Sequence, residues 1–406
     1  MPDVDRLAVR EMAMKNTYSG NRSGGKMEIH GYCDDRFGAL REEFERNFTE
    51  RGDVGASFAA SIEGEMIVDI WGGHRNEARS LPWEQNSIVN VFSTTKTMTA
   101  LCALMLIDKG ELEIEAKVSK YWPEYEQNGK ENTLVRHFMG HTAGLPGFGE
   151  QLTLDQYYDW DAVIHVLERQ EPWYEPGTIC AYHALTQGYL VGELVHRISG
   201  LSLGTFFQEN VAKRVDADFH IGLDPAEFER TAEILAGGPM EMPEDYEVPD
   251  FHNGRVDGTP ELSQEVWNST DWRQAESPAV NGHGNARAVV RAQTVVANGG
   301  SAFGVELLSQ QTIDRIFEDQ GEIAGVGAPH GIGYGLGIGI GGPEAWGAPE
   351  GTKGCFWGGA GGSSITLDHS HRACFSYVMN QMSNDLLGDV RARRLGVGFY
   401  EGLKEL

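Results

Sequence analysis

Between Phe37 and Phe48 the apolar residues fall at Phe37, Leu40, Phe44 and Phe48, the spacing of one helical face. From Gly55 to Trp71 the pattern changes to two strand-like runs around Glu63-Gly64-Glu65, which predicts a hairpin after that helix. Near the other end, Tyr334 to Ile340 and Ser363 to Met379 read as strands, the second interrupted by a turn near Asp368 to His371. Leu386 to Leu403 has the pattern of a closing helix.

The stretch from about Ser93 to Asp319 lacks a comparable alternation and reads as helices and loops, with Gly237 to Glu261 a long Gly/Pro/Glu-rich loop. No internal repeat is visible. Pairing the first strands with the last gives an α+β architecture: an antiparallel sheet from N- and C-terminal strands, flanked by helices, with a large, mostly helical inserted lobe. The expected division is a sheet part at 28–92 and 331–406 and a lobe at 93–330 that begins with the Ser93 helix. Residues 1–27 are polar and mixed in charge, as in a disordered arm or an expression remnant. A cleft between sheet and lobe is the expected binding site.

Composition narrows the function classes. A formal charge of -27 over 406 residues repels phosphate backbones and anionic lipids, so no nucleic-acid or membrane partner is expected. No apolar run reaches the roughly 18 residues that span a bilayer; Leu101 to Ile107 reads as a buried helix. Cys33, Cys102, Cys180, Cys355 and Cys374 are odd in number and widely spaced, which suits reduced thiols and a cytoplasmic location. The sequons at Asn47 and Asn268 are then incidental.

The candidate chemistry starts at Ser93-Thr94-Thr95-Lys96, which opens an apolar helical segment ending at Lys109-Gly110. Positions i and i+3 are neighbours on a helix, so Lys96 can approach the Ser93 hydroxyl. A serine needs a base, and an ordinary lysine near pKa 10.4 is protonated at neutral pH, so burial or the helix dipole must lower it. The exposed N–H groups of the same helix end can hold an oxyanion. Standing alone, the motif reads more readily as a helix cap followed by a solvated lysine.

The wider set of segments resembles the penicillin-binding-protein and class C β-lactamase superfamily, particularly its β-lactamase-like esterases, the family VIII carboxylesterases. The segments are Asn90-Val91-Phe92-Ser93-Thr94-Thr95-Lys96, His141-Thr142-Ala143-Gly144-Leu145-Pro146, Pro176-Gly177 leading to Tyr182, Asn281-Gly282-His283-Gly284 and Phe356-Trp357-Gly358-Gly359-Ala360-Gly361-Gly362-Ser363. The resemblance covers nearly everything after residue 28. It implies that Ser93 is the acylated nucleophile, Lys96 its partner and Tyr182 a second base, and leaves open which of the two takes the first proton. It also implies an oxyanion hole from the N–H groups of Ser93 and Ala360, and a cleft-lining strand carrying Trp357, Gly358 and Gly359.

Two departures from the β-lactamase pattern bear on substrate. Trp357 stands where those enzymes carry a lysine, and Ala184 where they carry an asparagine, which favours neutral, hydrophobic acyl groups. His183 and His283 adjoin the motifs and are candidate substrate contacts. Gly200-Leu201-Ser202-Leu203-Gly204 matches G-x-S-x-G, but the helical Tyr189 to Ile198 before it makes Gly200 a helix cap and Ser202 part of the next turn. His137 and His141 have zinc-pair spacing without the glutamate of H-E-x-x-H, and Gly333, Gly335, Gly337 and Gly339 precede no phosphate-binding helix.

The expectation is therefore a metal-free, cofactor-free hydrolase of small-molecule esters acting through a Ser93 acyl-enzyme, with acyl transfer to an alcohol possible on the same residues. A β-lactamase or D-amino-acid peptidase is the enzymatic alternative, and a catalytically silent binding protein the alternative of another class. No feature selects an oligomeric state.

Overall fold

The computed structural model describes residues 27–238, 250, 255, 257–323, 332–340, 346–384 and 389–405. The expected arm at 1–27 falls outside them except for Met27, as do most of the Gly237 to Glu261 loop and the start of the Leu386 to Leu403 helix.

The N-terminal helix, α1 (Gly38–Glu50), follows a single 3-10 turn at Asp35–Phe37 whose cap is Asp34, accepting from the Arg36 N–H at 3.1 Å. Its Leu40 and Phe44 are fully buried, as the spacing requires. The hairpin forms from β2 (Gly55–Ile62) and β3 (Glu65–Gly73). Glu63 and Gly64 turn between them with φ of 50° and 83°, both in the left-handed region of a type I′ connection. A strand not anticipated from the sequence, β1 (Ile29–Cys33), pairs with β3 at the sheet edge. None of its five residues is fully buried, three being exposed and two partly so, so its apolar signal is weak.

At the C-terminal end lie β4 (Gly339–Ile340), β5 (Gly354–Gly358), β6 (Ser364–Asp368) and β7 (Ala373–Met379). Among the described residues these seven strands form one antiparallel sheet in the order β1-β3-β2-β7-β6-β5-β4. The first and last strands meet where β7 pairs with β2, from Ala373 against Ile62 to Met379 against Ala56. The strand expected over Tyr334 to Ile340 is largely absent. Gly337 bends there with φ of 88°, and a Cβ on it would lie 2.3 Å from that of Ala100, so the glycine run serves close packing on the Ser93 helix instead of extending the sheet.

Helices cover both faces. α1 and the C-terminal helix, α6 (Val390–Leu403), close the outer face over Phe58, Val68, Ile70 and Phe375. On the inner face lies α5 (Ala286–Ala297), which packs on β2, β6 and β7. The segment 93–330 is thus not confined to the lobe: it returns to the sheet at Ala286, because α5 has an apolar face that a polar lobe surface would leave exposed.

The core helix α2 (Thr95–Asp108) is buried on every side from Thr95 to Leu106. Its threonine hydroxyls are all satisfied: Thr95 donates to Phe92 O at 2.5 Å and Thr97 to Thr94 O at 2.8 Å within the turn, and Thr99 to the distant Pro278 O at 2.6 Å. Each fully buried Leu or Met there contributes on the order of 1.5–3 kcal/mol of burial free energy. Among the described residues no helix is long and apolar enough to cross a membrane. All five cysteines are free thiols, Cys33 being partly exposed and the others buried.

Candidate active site

The Ser93 turn is pinned from two directions before Lys96 or Tyr182 is considered. On the sheet side, Ser363 donates to Val91 O at 2.7 Å and shares a hydrogen bond with Thr94 Oγ1 at 2.9 Å. On the lobe side, Val91 N donates to Gly282 O at 2.9 Å, while Asn90 Nδ2 donates to Val280 O and Gly282 O. Gly282 must lack a side chain, since a Cβ there would lie 2.5 Å from the Phe219 ring and 2.6 Å from Thr95 Oγ1. So held, Phe92 takes φ of 46°, a strained value for an aromatic residue, immediately before Ser93.

Ser93 is partly exposed at the mouth of α2, and Lys96 lies wholly buried one turn along. Lys96 Nζ is 3.3 Å from Ser93 Oγ, and it donates to Ala184 O at 2.7 Å and Ala279 O at 3.1 Å. The Tyr182 hydroxyl, from the lobe, donates to Ser93 Oγ at 2.8 Å. Among the described residues no carboxylate forms an ion pair with Lys96; the Tyr182 ring, 4.8 Å from Nζ, is its electrostatic neighbour. Burial therefore holds the Lys96 ammonium well below the ordinary lysine range. Burial also pushes the Tyr182 phenol up, opposed only in part by the Ser93 hydroxyl and the Trp357 indole. Both shifts favour uncharged partners in the resting state.

A consistent hydrogen-bond assignment follows for that neutral state. Two carbonyls take the two N–H groups of the amine, which leaves its lone pair for the Ser93 hydroxyl proton, while Tyr182 donates to the same oxygen. The N–H groups of Ser93 and Ala360 stand at the first turns of two 3-10 helices, where no intrahelical acceptor exists. Their segments touch: a Cβ on Gly359 would sit 3.1 Å from Ser93 N and 2.2 Å from Val91 O. Gly358 and Ala360 are exposed at this edge.

Three expected substrate contacts are placed otherwise. His183 is fully buried; its Nε2 accepts from Leu145 N at 3.1 Å, and its Nδ1 donates to Ala181 O at 2.6 Å. With His141, whose Nδ1 accepts from His183 N at 3.1 Å, it fixes the segment that presents Tyr182. His283 is 1% exposed and pairs through its backbone with Asn90 and His220, so it too is framework. Trp357 is 5% exposed and packs behind Tyr182, ring centroids 5.7 Å apart, with Tyr334 edge-on to it at 5.1 Å. It is a support for the phenol more than an open wall, because alternation on β5 turns it toward the lobe core.

The motifs set aside by sequence also have places. Gly200 ends the helix α3 (Thr186–Ser199) with φ of 74°, and Ser202 caps α4 (Leu203–Phe207) while donating to Glu276 at 2.6 Å. His137 Nδ1 accepts from Leu134 N, as a local cap. A separate depression of about 460 Å³, lined by Glu150, Arg169, Trp173 and Arg255 among others, contains none of the Ser93 group. What sequence reasoning missed acts through the backbone: the carbonyls of Ala184 and Ala279 carry no residue-type signature.

The family model described as Beta-lactamase matches residues 44–397. The esterase/beta-lactamase LipL of Mycobacterium tuberculosis is 32% identical over 339 residues, spanning 79% of this chain and 74% of LipL. A solved structure of a family VIII carboxylesterase superposes with a TM-score of 0.85 at 34% identity, covering 93% of this chain and 100% of the other. A penicillin-binding protein homologue from Caulobacter crescentus gives 0.84 at 33% identity, covering 92% and 100%. With a family match across most of its length and two solved structures of the same fold above 30% identity, this chain belongs to the beta-lactamase family.

Proposed function

We propose that this protein is a carboxylesterase that cleaves small, neutral esters through a Ser93 acyl-enzyme. The observation that carries the reading is the convergence on Ser93 Oγ of the Tyr182 hydroxyl at 2.8 Å and a buried, carboxylate-free Lys96 amine at 3.3 Å. In this mechanism Ser93 Oγ attacks the ester carbonyl as its proton passes to Lys96, and the N–H groups of Ser93 and Ala360 receive the oxyanion. The acyl–oxygen bond of the leaving alcohol then breaks, and Tyr182 supplies the proton that the alkoxide needs. Lys96 ammonium and Tyr182 phenolate now face each other as a neutral pair. In the second half, Tyr182 takes a proton from water, the hydroxide attacks the acyl carbon, and the released Ser93 oxygen recovers its proton from Lys96. Acid and alcohol leave, and both partners are reset.

This assigns Lys96 as the first base, because burial opposes the charged pair until the nucleophile needs it. Trp267 edge-on to Phe92 at 5.2 Å, and Met382 against Gly361, give the rim of the turn partly exposed apolar surface suited to an uncharged acyl group. The names of LipL and of the family VIII structure support an esterase. A β-lactam could be acylated by the same residues, but the apolar Trp357 offers no cation for its carboxylate. A panel of p-nitrophenyl esters run beside nitrocefin tests the assignment. Short acyl esters should turn over with kcat/KM at least about 100-fold above nitrocefin, a gap of about 2.7 kcal/mol in transition-state stabilisation. Nitrocefin turnover above that of every ester would replace the esterase reading with a β-lactamase.

A further inference from the structure

We infer that Arg391 is a positioning residue for the oxyanion turn, an inference that rests on the Ser93 acyl-enzyme reading. Arg391 lies on α6, 3% exposed, and reaches the Gly359–Gly362 segment, whose Ala360 N–H is the second oxyanion donor in the proposed mechanism. Its Nη2 donates to Gly361 O at 3.0 Å, directly after Ala360, and its Nη1 donates to Gln381 O at 2.9 Å. The guanidinium is itself immobilised. Nε donates to Asp389 at 2.9 Å and 3.1 Å, Nη2 also contacts Asp389, and Nη1 donates to Asp53 at 2.5 Å. Asp53 is held in turn by the Tyr377 hydroxyl at 2.6 Å and 2.8 Å.

The turn needs such a support. Gly361 and Gly362 have φ of 83° and 121°, a path that glycine enters freely and does not by itself fix. Asp389 presses on it from the same side, since a Cβ on Gly362 would lie 2.2 Å from Asp389 Oδ2. Both carboxylates are buried, so the energy of the cluster is tied to keeping the fork in one orientation, and that orientation includes the bond to Gly361 O. A preorganised donor works only when its peptide cannot turn away as charge develops, and the Gly361 carbonyl, one residue beyond Ala360, is the point at which the fork holds this turn.

Arg391→Lys separates this role from simple stapling of α6. The ammonium keeps the charge between Asp53 and Asp389 but lacks the planar fork that also serves Gly361 O. Leu395→Ala, in the same helix and buried in the outer-face core, is the stability control, with each protein assayed below its own melting onset. Arg391→Lys should lower kcat about 10- to 100-fold with KM within about threefold, and slow labelling of Ser93 by a p-nitrophenyl phosphonate in proportion, whereas Leu395→Ala should keep both within about twofold. Wild-type kcat and labelling rate in Arg391→Lys would overturn the inference. If Arg391→Lys shows no cooperative melt, Asp389→Asn is read with the same two outcomes. Absence of a Ser93 adduct in the wild type would instead overturn the acyl-enzyme reading itself.

Discussion

Two buried basic side chains stand behind the Ser93 and Gly359–Gly362 turns, and they are solvated by opposite means. Lys96 is surrounded by carbonyl oxygens, a hydroxyl and a phenol ring, with no opposing carboxylate among the described residues. Arg391 is enclosed by Asp53 and Asp389 and cannot lose its charge. An amine given acceptors but no counter-charge is free to exchange a proton; a guanidinium given two carboxylates is a fixed strut. The difference separates the part of the site that must change state from the part that must not.

The sharpest way to break this contrast is to make Lys96 behave as Arg391 does. Lys96→Arg, which installs a permanent charge, should abolish ester turnover as fully as Ser93→Ala, by about 10⁴-fold or more in kcat. Tyr182→Phe should follow at about 10²- to 10⁴-fold, the range for loss of one general acid–base group. On the strut side, Arg391→Met should destabilise the fold by about 3–5 kcal/mol in urea unfolding, the usual consequence of leaving buried carboxylates unpaired.

Proton linkage sharpens the contrast further. Because Lys96 is held below its unfolded pKa, the unfolded chain binds more protons than the native one between those two values. Its contribution to stability therefore rises with pH up to the unfolded lysine value near 10.4. Urea titrations from neutral to alkaline pH should show this slope in the wild type and its loss in Lys96→Met. The rate of Ser93 acylation should climb as Lys96 deprotonates and stay level until the raised Tyr182 phenol ionises. The smallest effect is expected at Ser202, whose hydroxyl caps α4 and bonds Glu276. Ser202→Ala should cost about 1 kcal/mol of stability and leave kcat within about twofold.

Legibility from sequence followed the physical origin of each feature. The hairpin, α1 and the β7 segment announce themselves by periodicity and the Ser93–Lys96 pair by side-chain type and spacing, whereas Tyr182 enters only through the family resemblance of its Pro176-Gly177 approach. Tyr334 to Ile340 misled because alternating apolar and glycine positions also describe backbone packed on α2, which only the contact with Ala100 reveals. His183 and His283 were read as cleft residues because they adjoin Tyr182 and Gly282 in sequence. Neighbours along an extended segment point to opposite sides, and both side chains turn inward. Ala184 and Ala279 act through carbonyls, and Arg391 reaches the turn from the far end of the chain, so no local pattern marks them.

The central claim is that Ser93 becomes acylated with Lys96 as its base. Acid-quenching the protein during turnover of p-nitrophenyl acetate, followed by peptide mass mapping, should find one acetyl group on the peptide bearing Ser93 in the wild type. Lys96→Arg should show none. An acetyl group on Ser202 or Tyr182, or an undiminished Ser93 adduct in Lys96→Arg, would contradict the account.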